Sequence, residues 1–389
     1  MIDRILEKKI AQLKRGFPVI MIAGPRQSGK TTIAKKCFPE YDYVNLENPD
    51  ERVFVINDPR AFFSRHRENG IIIDEVQRVP ELFSFLQGEA DATESMGKII
   101  LTGSQNYLLM ESITQSLAGR AAVLTLLPFS MDELSAYIES HTTDRLLHTG
   151  FYPPIFDRHL APGDFHKQYV TTYIERDVRL IKNIGDLNRF RDFLSLCAGR
   201  VGQLINFNAL ANETGVDAKT AKSWLSVLEN SFVVFRLRPY HRNFNKRIVK
   251  QTKLYFHDTG LLCHLLRIRG PEQLPQFYLR GSLFENLIIS EIYKYRLNTG
   301  EPPDLYFWRD HIGNEIDLII DRGIDFTAIE IKSTQTFQKR LLASLTKFKK
   351  ISGMSGAQFL IYDGTMEQEM SGISIVPWKQ MGQYLSDYI

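Results

Sequence analysis

The sequence predicts an α/β protein that opens on a parallel-sheet domain, continues through a helical and helix-turn-helix region, and closes on a second α/β domain. Three observations lead there. First, short apolar runs at Val19-Ile20-Met21-Ile22-Ala23, Tyr43–Leu46, Ile71–Ile73 and Ile99–Leu101 have the length and composition of strands buried on both faces. Helical segments separate them, and strand–helix alternation builds parallel sheets. Second, the pattern changes after Leu127-Pro128-Phe129, becomes mostly helical, and returns to alternating strands beyond Arg280. Third, 389 residues exceed what one core supports, and about two to four domains are expected from that length. The boundaries read as 1–130, a helical connector 131–200, a winged-helix-like domain 201–275 and a C-terminal domain 276–389, with the loop around Gly270-Pro271 and Pro275 as linker.

Composition narrows the function classes. Hydrophobic residues make up 43% and charged residues 24%, as in globular proteins, and the net charge is only +3. Any affinity for a polyanion must therefore be local. Cys37, Cys197 and Cys263 form no CxxC pair and no zinc-ligand spacing, which leaves reduced, buried thiols. Residues 1–16 mix acids and bases along an amphipathic helix, with Ile5, Ile10 and Leu13 on its apolar side, and lack the apolar core of a signal peptide. No apolar run approaches the ~18 residues of a membrane span. A cytoplasmic protein without a membrane partner is expected.

The most specific motif is Gly24-Pro25-Arg26-Gln27-Ser28-Gly29-Lys30-Thr31, a full G-x-x-x-x-G-K-[ST] P-loop (Walker A) between a predicted strand and a predicted helix. Glycines let backbone N–H groups turn inward around phosphate oxygens, and the helix points its positive end at the same charge. Lys30 is expected to reach the β- and γ-phosphates and Thr31 to ligate Mg²⁺, with Thr32 counted among the ATP-binding positions. Ile71-Ile72-Ile73-Asp74-Glu75 supplies the second half (Walker B): an apolar strand with two acids at its C-terminal end, where α/β sheets bind ligands. Asp74 is assigned to Mg²⁺ and Glu75 to the attacking water. Leu101-Thr102-Gly103-Ser104-Gln105-Asn106 ends another strand, and Ser104 or Asn106 is placed to sense the γ-phosphate. Arg120 is a candidate cation for transition-state charge.

These residues carry a resemblance. GPRQSGKTT, IIIDEVQ, LTGSQN, SLAGR and LPFSMDEL resemble the ATPase half of prokaryotic AAA-type P-loop ATPases that carry a C-terminal DUF4143 domain. Tyr173-Ile174-Glu175-Arg176-Asp177-Val178 resembles the start of that family's C-terminal half. The resemblance spans essentially the whole chain and implies a P-loop NTPase fold, ATP and Mg²⁺ as ligand and cofactor, and hydrolysis. The extra strand Tyr43–Leu46 is typical of the class with a catalytic glutamate, which Glu75 fits. No helical-lid arginine of the AAA+ type stands out.

Two further stretches bear on partners. Phe207–Val216 reads as a short helix ending at Gly215, followed by a helix from Asp217 to Glu229 with Ala221, Trp224, Leu225 and Leu228 on its apolar face. Ser231–Leu237 and Lys253–Phe256 then suit the strands of a wing. From 231 to 257 there are seven Lys or Arg (Arg236, Arg238, Arg242, Lys246, Arg247, Lys250, Lys253) and no acid, interleaved with Tyr240, Phe244 and Tyr255. Such a stretch neutralises phosphates, or docks on an acidic face of protein. Near the C-terminus, Glu330 and Lys332 are two apart and share a strand face, and a hairpin brings Asp317 beside them. Ile316, Ile329 and Ile331 are expected to point the other way. With Glu285 on the helix Ser282–Tyr295 as a further ligand, this spacing resembles the PD-(D/E)xK nuclease superfamily, which implies a Mg²⁺ site. The functional expectation is an ATPase driving a nucleic-acid-directed, nuclease-like module. The alternative is a nucleotide-dependent switch with slow hydrolysis whose non-cleaving C-terminal domain recognises a protein partner.

Overall fold

The computed structural model describes residues 2–92, 96–104, 116–174, 186–240, 250–323, 325–352 and 356–388. The first sheet contains β1 (Val19–Ala23), β2 (Asp42–Asn45), β3 (Ile71–Asp74), β4 (Ile99–Gly103) and β5 (Ala121–Thr125), in the order β2-β3-β4-β1-β5. Every neighbouring pair is parallel. Every residue of β1, β3 and β4 is buried, which is why these runs carry no alternation. Val19, Met21, Ile73 and Leu101 face a layer containing Phe62 and Phe83. Ile20, Ile22, Ile72 and Ile100 face one containing Leu6, Ile10, Ile33 and Phe38. The amphipathic N-terminal helix, Leu6–Leu13, thus closes one side of the sheet.

Short helices follow: Ser135–Ser140, Thr143–Thr149, Pro153–Asp157, Pro162–Tyr169 and Leu187–Ala198. The helix Pro162–Tyr169 runs into a π turn, Val170–Ile174, because its ladder slips by one residue. The family-like segment after Ile174, residues 175–185, lies outside the described residues. Phe207–Thr214 is capped by Asn206 and ends at Gly215 in the left-handed region (φ 65°). Ala218–Asn230 starts from Asp217, whose carboxylate accepts the Thr220 N–H. Trp224 stands edge-on to Phe190 and Phe193, at 5.4 and 5.5 Å, so a third helix supports the pair.

The second sheet contains β6 (Val234–Pro239), β7 (Lys253–Phe256), β8 (Leu305–Arg309), β9 (Glu315–Asp321), β10 (Phe326–Lys332), β11 (Ala357–Tyr362), β12 (Gln368–Met370) and β13 (Ile373–Pro377). Its order is β12-β13-β11-β10-β9-β8-β6-β7. β6 and β7 form the antiparallel pair expected after the second helix, and β6 also joins β8 through Arg238↔Tyr306 and Pro239↔Phe307. The strand pair and the C-terminal strands are therefore one sheet. The Pro271–Gln276 stretch, expected to be a linker, is a 3₁₀ turn that buries Leu274.

Two helices cover the two faces of this sheet. Leu283 and Leu287 of the helix Arg280–Thr299 share a cluster with Leu318, Ile320, Ile329 and Ile331. Leu345 and Phe348 of the helix Ala343–Ser352 share another with Ile316, Ile319 and Ala328. Ile316 thus points to the opposite face from Ile329 and Ile331, contrary to the sequence expectation. The cause is a bulge: Tyr306 pairs with Ile319 but Trp308 with Ile316, so β9 carries one extra residue there. Among the described residues no helix is long and apolar enough to cross a membrane.

Candidate functional site

The P-loop leaves β1 at Gly24, which runs so close to the neighbouring chain that a Cβ would stand 2.1 Å from the Leu126 carbonyl oxygen. Gly29 caps the next helix, Lys30–Cys37, at φ 93°, a left-handed conformation that glycine adopts without strain. Lys30 Nζ donates to the Pro25 carbonyl at 2.8 Å, and Ser28 Oγ donates to the same oxygen at 2.9 Å. The loop is thus held in its turn by its own side chains, with the lysine folded across it.

Asp74, buried at the end of β3, collects three hydroxyls. Oδ2 accepts from Thr31 Oγ1 at 2.9 Å and from Tyr43 OH at 2.8 Å, while Oδ1 accepts from Thr102 Oγ1. Burial and the neighbouring Asp74 carboxylate push the Tyr43 phenol well above its ordinary range, so it stays a donor. β2, β3 and β4 each contribute one of these groups, so the parallel register assembles the site. Thr31 and Asp74, the two expected Mg²⁺ ligands, touch each other, and this pairing of a hydroxyl with a carboxylate fits a Mg²⁺ ion.

Glu75 follows in the left-handed region (φ 58°), a strained place for a side-chain-bearing residue. The twist turns its carboxylate towards Ser104 and Gln77. Oε2 accepts from Gln77 Nε2 at 2.5 Å and from Ser104 Oγ at 3.3 Å, and Gln77 Nε2 lies 3.2 Å from Ser104 Oγ. Ser104 thus meets Glu75; Gln105 and Asn106 lie outside the described residues.

Arg26, Gln27, Gly29, Lys30, Thr31, Thr32, Asp74 and Glu75 line one cavity of about 420 Å³. Pro153, Pro154, Asp157 and Arg158 line it too. Arg158 is the cation that the sequence reading missed: it comes from the short helix Pro153–Asp157 outside the sheet domain. Arg120 is corrected. It directly precedes β5, at the N-terminal edge of the sheet, and its guanidinium pairs with Asp91 at 2.5 and 3.0 Å. The phosphate loop sits at the C-terminal edge, so Arg120 is at the wrong end to meet phosphate. Arg4 was also missed. It is buried behind the loop, donating to the Ser28 carbonyl at 2.8 Å and the Leu127 carbonyl at 2.7 Å while paired with Glu133 at 3.0 Å. Glu133 belongs to the LPFSMDEL segment, which explains why an acid stands there.

The C-terminal carboxylates also meet, but around lysines. Lys332 Nζ lies 2.7 Å from Glu330 Oε1 and 3.4 Å from Asp317 Oδ2, and Asp317 Oδ2 also accepts the Ile331 N–H at 2.8 Å. Glu285 faces Lys253, at 3.1 Å, and Tyr255 OH, at 2.5 Å. Lys253 also contacts Glu315, which Arg309 holds at 2.9 Å. Burial, with Asp317 adding to it, pushes Glu330 up to about 8, and burial pushes Glu285 up to about 7 against the pull of Lys253. Among the described residues no group of three or more His, Cys, Asp or Glu is arranged to hold a metal ion. The expected metal set of Glu285, Asp317, Glu330 and Lys332 is corrected to that extent: ammonium groups already stand between the carboxylates.

In the basic stretch 231–257, two of the seven cations are already engaged with carboxylates. Lys253 is 2% exposed and belongs to the carboxylate cluster, and Arg236 is paired with Glu229 at 2.6 Å. Tyr240 and Tyr255 are buried, so neither offers a stacking face. Arg242, Phe244, Lys246 and Arg247 lie outside the described residues.

Comparison with known proteins agrees with this layout. The chain matches the family model of an AAA domain over residues 16–135, a domain of unknown function (DUF8612) over 140–272, and a second (DUF4143) over 280–381. It is 30% identical over 335 residues to the uncharacterized protein Rv2008c of Mycobacterium tuberculosis, covering 84% of this chain and 73% of that one. An uncharacterized protein of Haemophilus influenzae is 20% identical over 403 residues, 95% of each chain. Among solved structures, the Walker-type ATPase PABY2304 of Pyrococcus abyssi aligns with 69% of this chain and 96% of its own, at 15% identity and a TM-score of 0.44. The P-loop, the parallel sheet that carries it, the family-model matches and the 30% identical relative make the chain a member of the AAA-type P-loop ATPase family with a C-terminal DUF4143 domain.

Proposed function

We propose that the protein hydrolyses ATP with Mg²⁺ and couples turnover to a nucleic-acid-directed C-terminal half. The observation that carries hydrolysis is the Thr31–Asp74 contact at 2.9 Å with Glu75 next in sequence, all lining the P-loop cavity. Bound Mg²⁺ would neutralise phosphate charge as it develops. The protein's own part is positional. Lys30 leaves the Pro25 carbonyl for phosphate oxygens, the P-loop amides cradle them, and Thr31 and Asp74 hold the ion. Glu75 orients water and draws its proton towards Oε2. Gln77 and Ser104 donate to that oxygen, so Glu75 reaches water when those bonds rearrange.

For the C-terminal half, the three-helix unit with its strand pair is read as a winged helix, and the sheet with Asp317, Glu330 and Lys332 as PD-(D/E)xK-like. The acid-free stretch 231–257 supports nucleic acid as the partner. One observation favours the second reading, a switch whose C-terminal domain does not cut: Lys253 lies among the carboxylates a metal would need. No cleavage step is therefore assigned. The test is phosphate release by the full chain with Mg²⁺ or excess chelator, alone and with single-stranded, double-stranded or branched DNA. Mg²⁺-dependent release that DNA accelerates supports the proposal. No release under any condition refutes hydrolysis, and release indifferent to all three DNAs refutes the coupling.

A further inference from the structure

A cavity of about 340 Å³ shares no lining residue with the P-loop cavity. Three histidines and two arginines line it, His148, His166, His264, Arg267 and Arg269, and no carboxylate does. Each histidine comes from a different helix: Thr143–Thr149, Pro162–Tyr169 and Thr259–Leu265. Gly260 lets the last two meet, since a Cβ there would stand 2.4 Å from His166 Nε2. His166 is 1% exposed, and its Nε2 lies 3.1 Å from the Thr149 carbonyl, which can only accept. Nε2 therefore carries the ring proton, and Nδ1 keeps a lone pair. Among the described residues the buried Nδ1 atoms of His166 and His148 have no hydrogen-bond partner. Burial holds all three imidazoles below their usual range, so they are neutral at pH 7. The nearest acid, Asp258, is 4.0 Å from His166 and accepts the Phe151 and Leu261 N–H groups at 2.6 and 2.8 Å. Arg267 and Arg269 are exposed on either side of buried Ile268, and among the described residues neither pairs with a carboxylate.

We propose that this cavity binds a phosphate group that carries one proton, as inorganic phosphate or a small phosphomonoester does. Two guanidinium groups and no lining acid select an anion, and among the described residues no set of His, Cys, Asp or Glu is arranged to hold a metal ion. The arginines take the charged oxygens. His166 Nε2 is spent on the main chain, so Nδ1 is the polar atom it has left for an occupant, and it accepts the hydrogen bond from P–O–H. A phosphate ester loses its second proton at about pH 6, so the group still carries that proton in part near neutrality, whereas sulfate carries none. The volume lies at the lower end of small-molecule sites, which suits a phosphate with a small organic group.

The test is isothermal titration calorimetry of the full chain at about pH 6 with inorganic phosphate, ribose 5-phosphate and sulfate. Three proteins are compared: wild type, Arg267→Gln/Arg269→Gln and His166→Gln. The signal of interest is the binding that the arginine variant loses; an anion held by the P-loop is common to all three proteins and subtracts. The arginine variant is expected to lose about tenfold or more in affinity for phosphate or ribose 5-phosphate, and wild type to bind sulfate at this site about tenfold or more weakly. Tighter binding of ribose 5-phosphate identifies an ester as the occupant, and equal or tighter binding of inorganic phosphate identifies the free ion. Glutamine keeps a donor for the Thr149 carbonyl but has no acceptor at the place of Nδ1, so His166→Gln should lose the preference for phosphate over sulfate. If the arginine variant binds every anion as wild type does, there is no such site. Sulfate bound there as tightly as phosphate, or a preference retained by folded His166→Gln, overturns the protonated-phosphate assignment. Should His166→Gln not fold by circular dichroism, the exposed arginine pair and the wild-type preference decide by themselves.

Discussion

Lys30 and Thr31 are adjacent in sequence but serve different charges. Lys30 is nearly buried and holds its own loop carbonyl, so its ammonium is pre-placed where phosphate oxygens arrive. Lys30→Ala removes the ammonium that lies folded across the loop, and ATP affinity is expected to fall about a hundredfold or more. Calorimetry measures it, and an unchanged affinity rejects the assignment. Arg158 enters the same cavity from the helix Pro153–Asp157 and is expected to meet the nucleotide's phosphates. Arg158→Ala should weaken ATP by about tenfold, the worth of one charge-assisted bond, in the same titration. The difference between these two residues shows what a sequence discloses. Lys30 sits in a local motif whose spacing is its function. Arg158, like Tyr43 and Thr102 around Asp74, reaches the site only through tertiary placement, and an arginine after a short helix carries no signal in one dimension. Gln77 was within reach, since it follows Glu75 by two in a recognisable segment.

The helix Arg280–Thr299 is the element that joins the two sheets. Its buried pair, Glu291 and Lys294 at 2.6 Å, bonds to the main chain of the LPFSMDEL segment: Glu291 accepts the Met131 N–H at 2.7 Å and Lys294 donates to the Phe129 carbonyl at 2.9 Å. Glu133 of that segment holds Arg4, which holds Ser28 of the P-loop. A continuous set of bonds thus runs from the phosphate loop to the helix that carries Glu285. Lys294→Met leaves Glu291 buried and unpaired and is expected to cost about 3–5 kcal/mol by chemical denaturation. Glu291→Leu/Lys294→Met should recover most of that loss, and equal loss in both variants contradicts a role as a pair. The other end of this region is pH-sensitive. Glu285 and Glu330 are held at about 7 and about 8, above the ordinary carboxyl range. The folded state therefore keeps protons that the unfolded chain has already released, and stability falls as pH rises through those values. The thermal midpoint is expected to drop between pH 6 and pH 8.5, and Glu330→Gln to flatten the upper part of the drop. The hairpin joining Asp317 to Glu330 was legible from spacing. The bulge that turns Ile316 over was not, because one extra residue in a strand changes the facing without changing the composition.

At the scale of the molecule, the first sheet could be read almost strand by strand, since buried parallel strands are contiguous apolar runs. The second could not be assembled from sequence, because β6 meets β8 across a long stretch of chain that holds two helices. Within the basic stretch, Lys253 is buried and Arg236 is paired with Glu229, while Arg238 and Lys250 are exposed. Reversing charge at Arg242, Lys246 and Arg247 is expected to weaken DNA binding and to lower the slope of log affinity against log salt by about three. Equal slopes for wild type and variant, measured by fluorescence anisotropy, would contradict it.

The central claim is that the P-loop cavity turns ATP over and that Glu75 does so by acting on water rather than by holding nucleotide. Glu75→Gln keeps the size and hydrogen-bonding of the side chain and removes its capacity to take a proton. The decisive measurement is ATP affinity and phosphate release on the same preparation of this variant, beside wild type. Affinity within about threefold of wild type together with turnover lowered about a hundredfold or more is the expected result. Turnover equal to wild type, with ATP bound as tightly, would contradict the account.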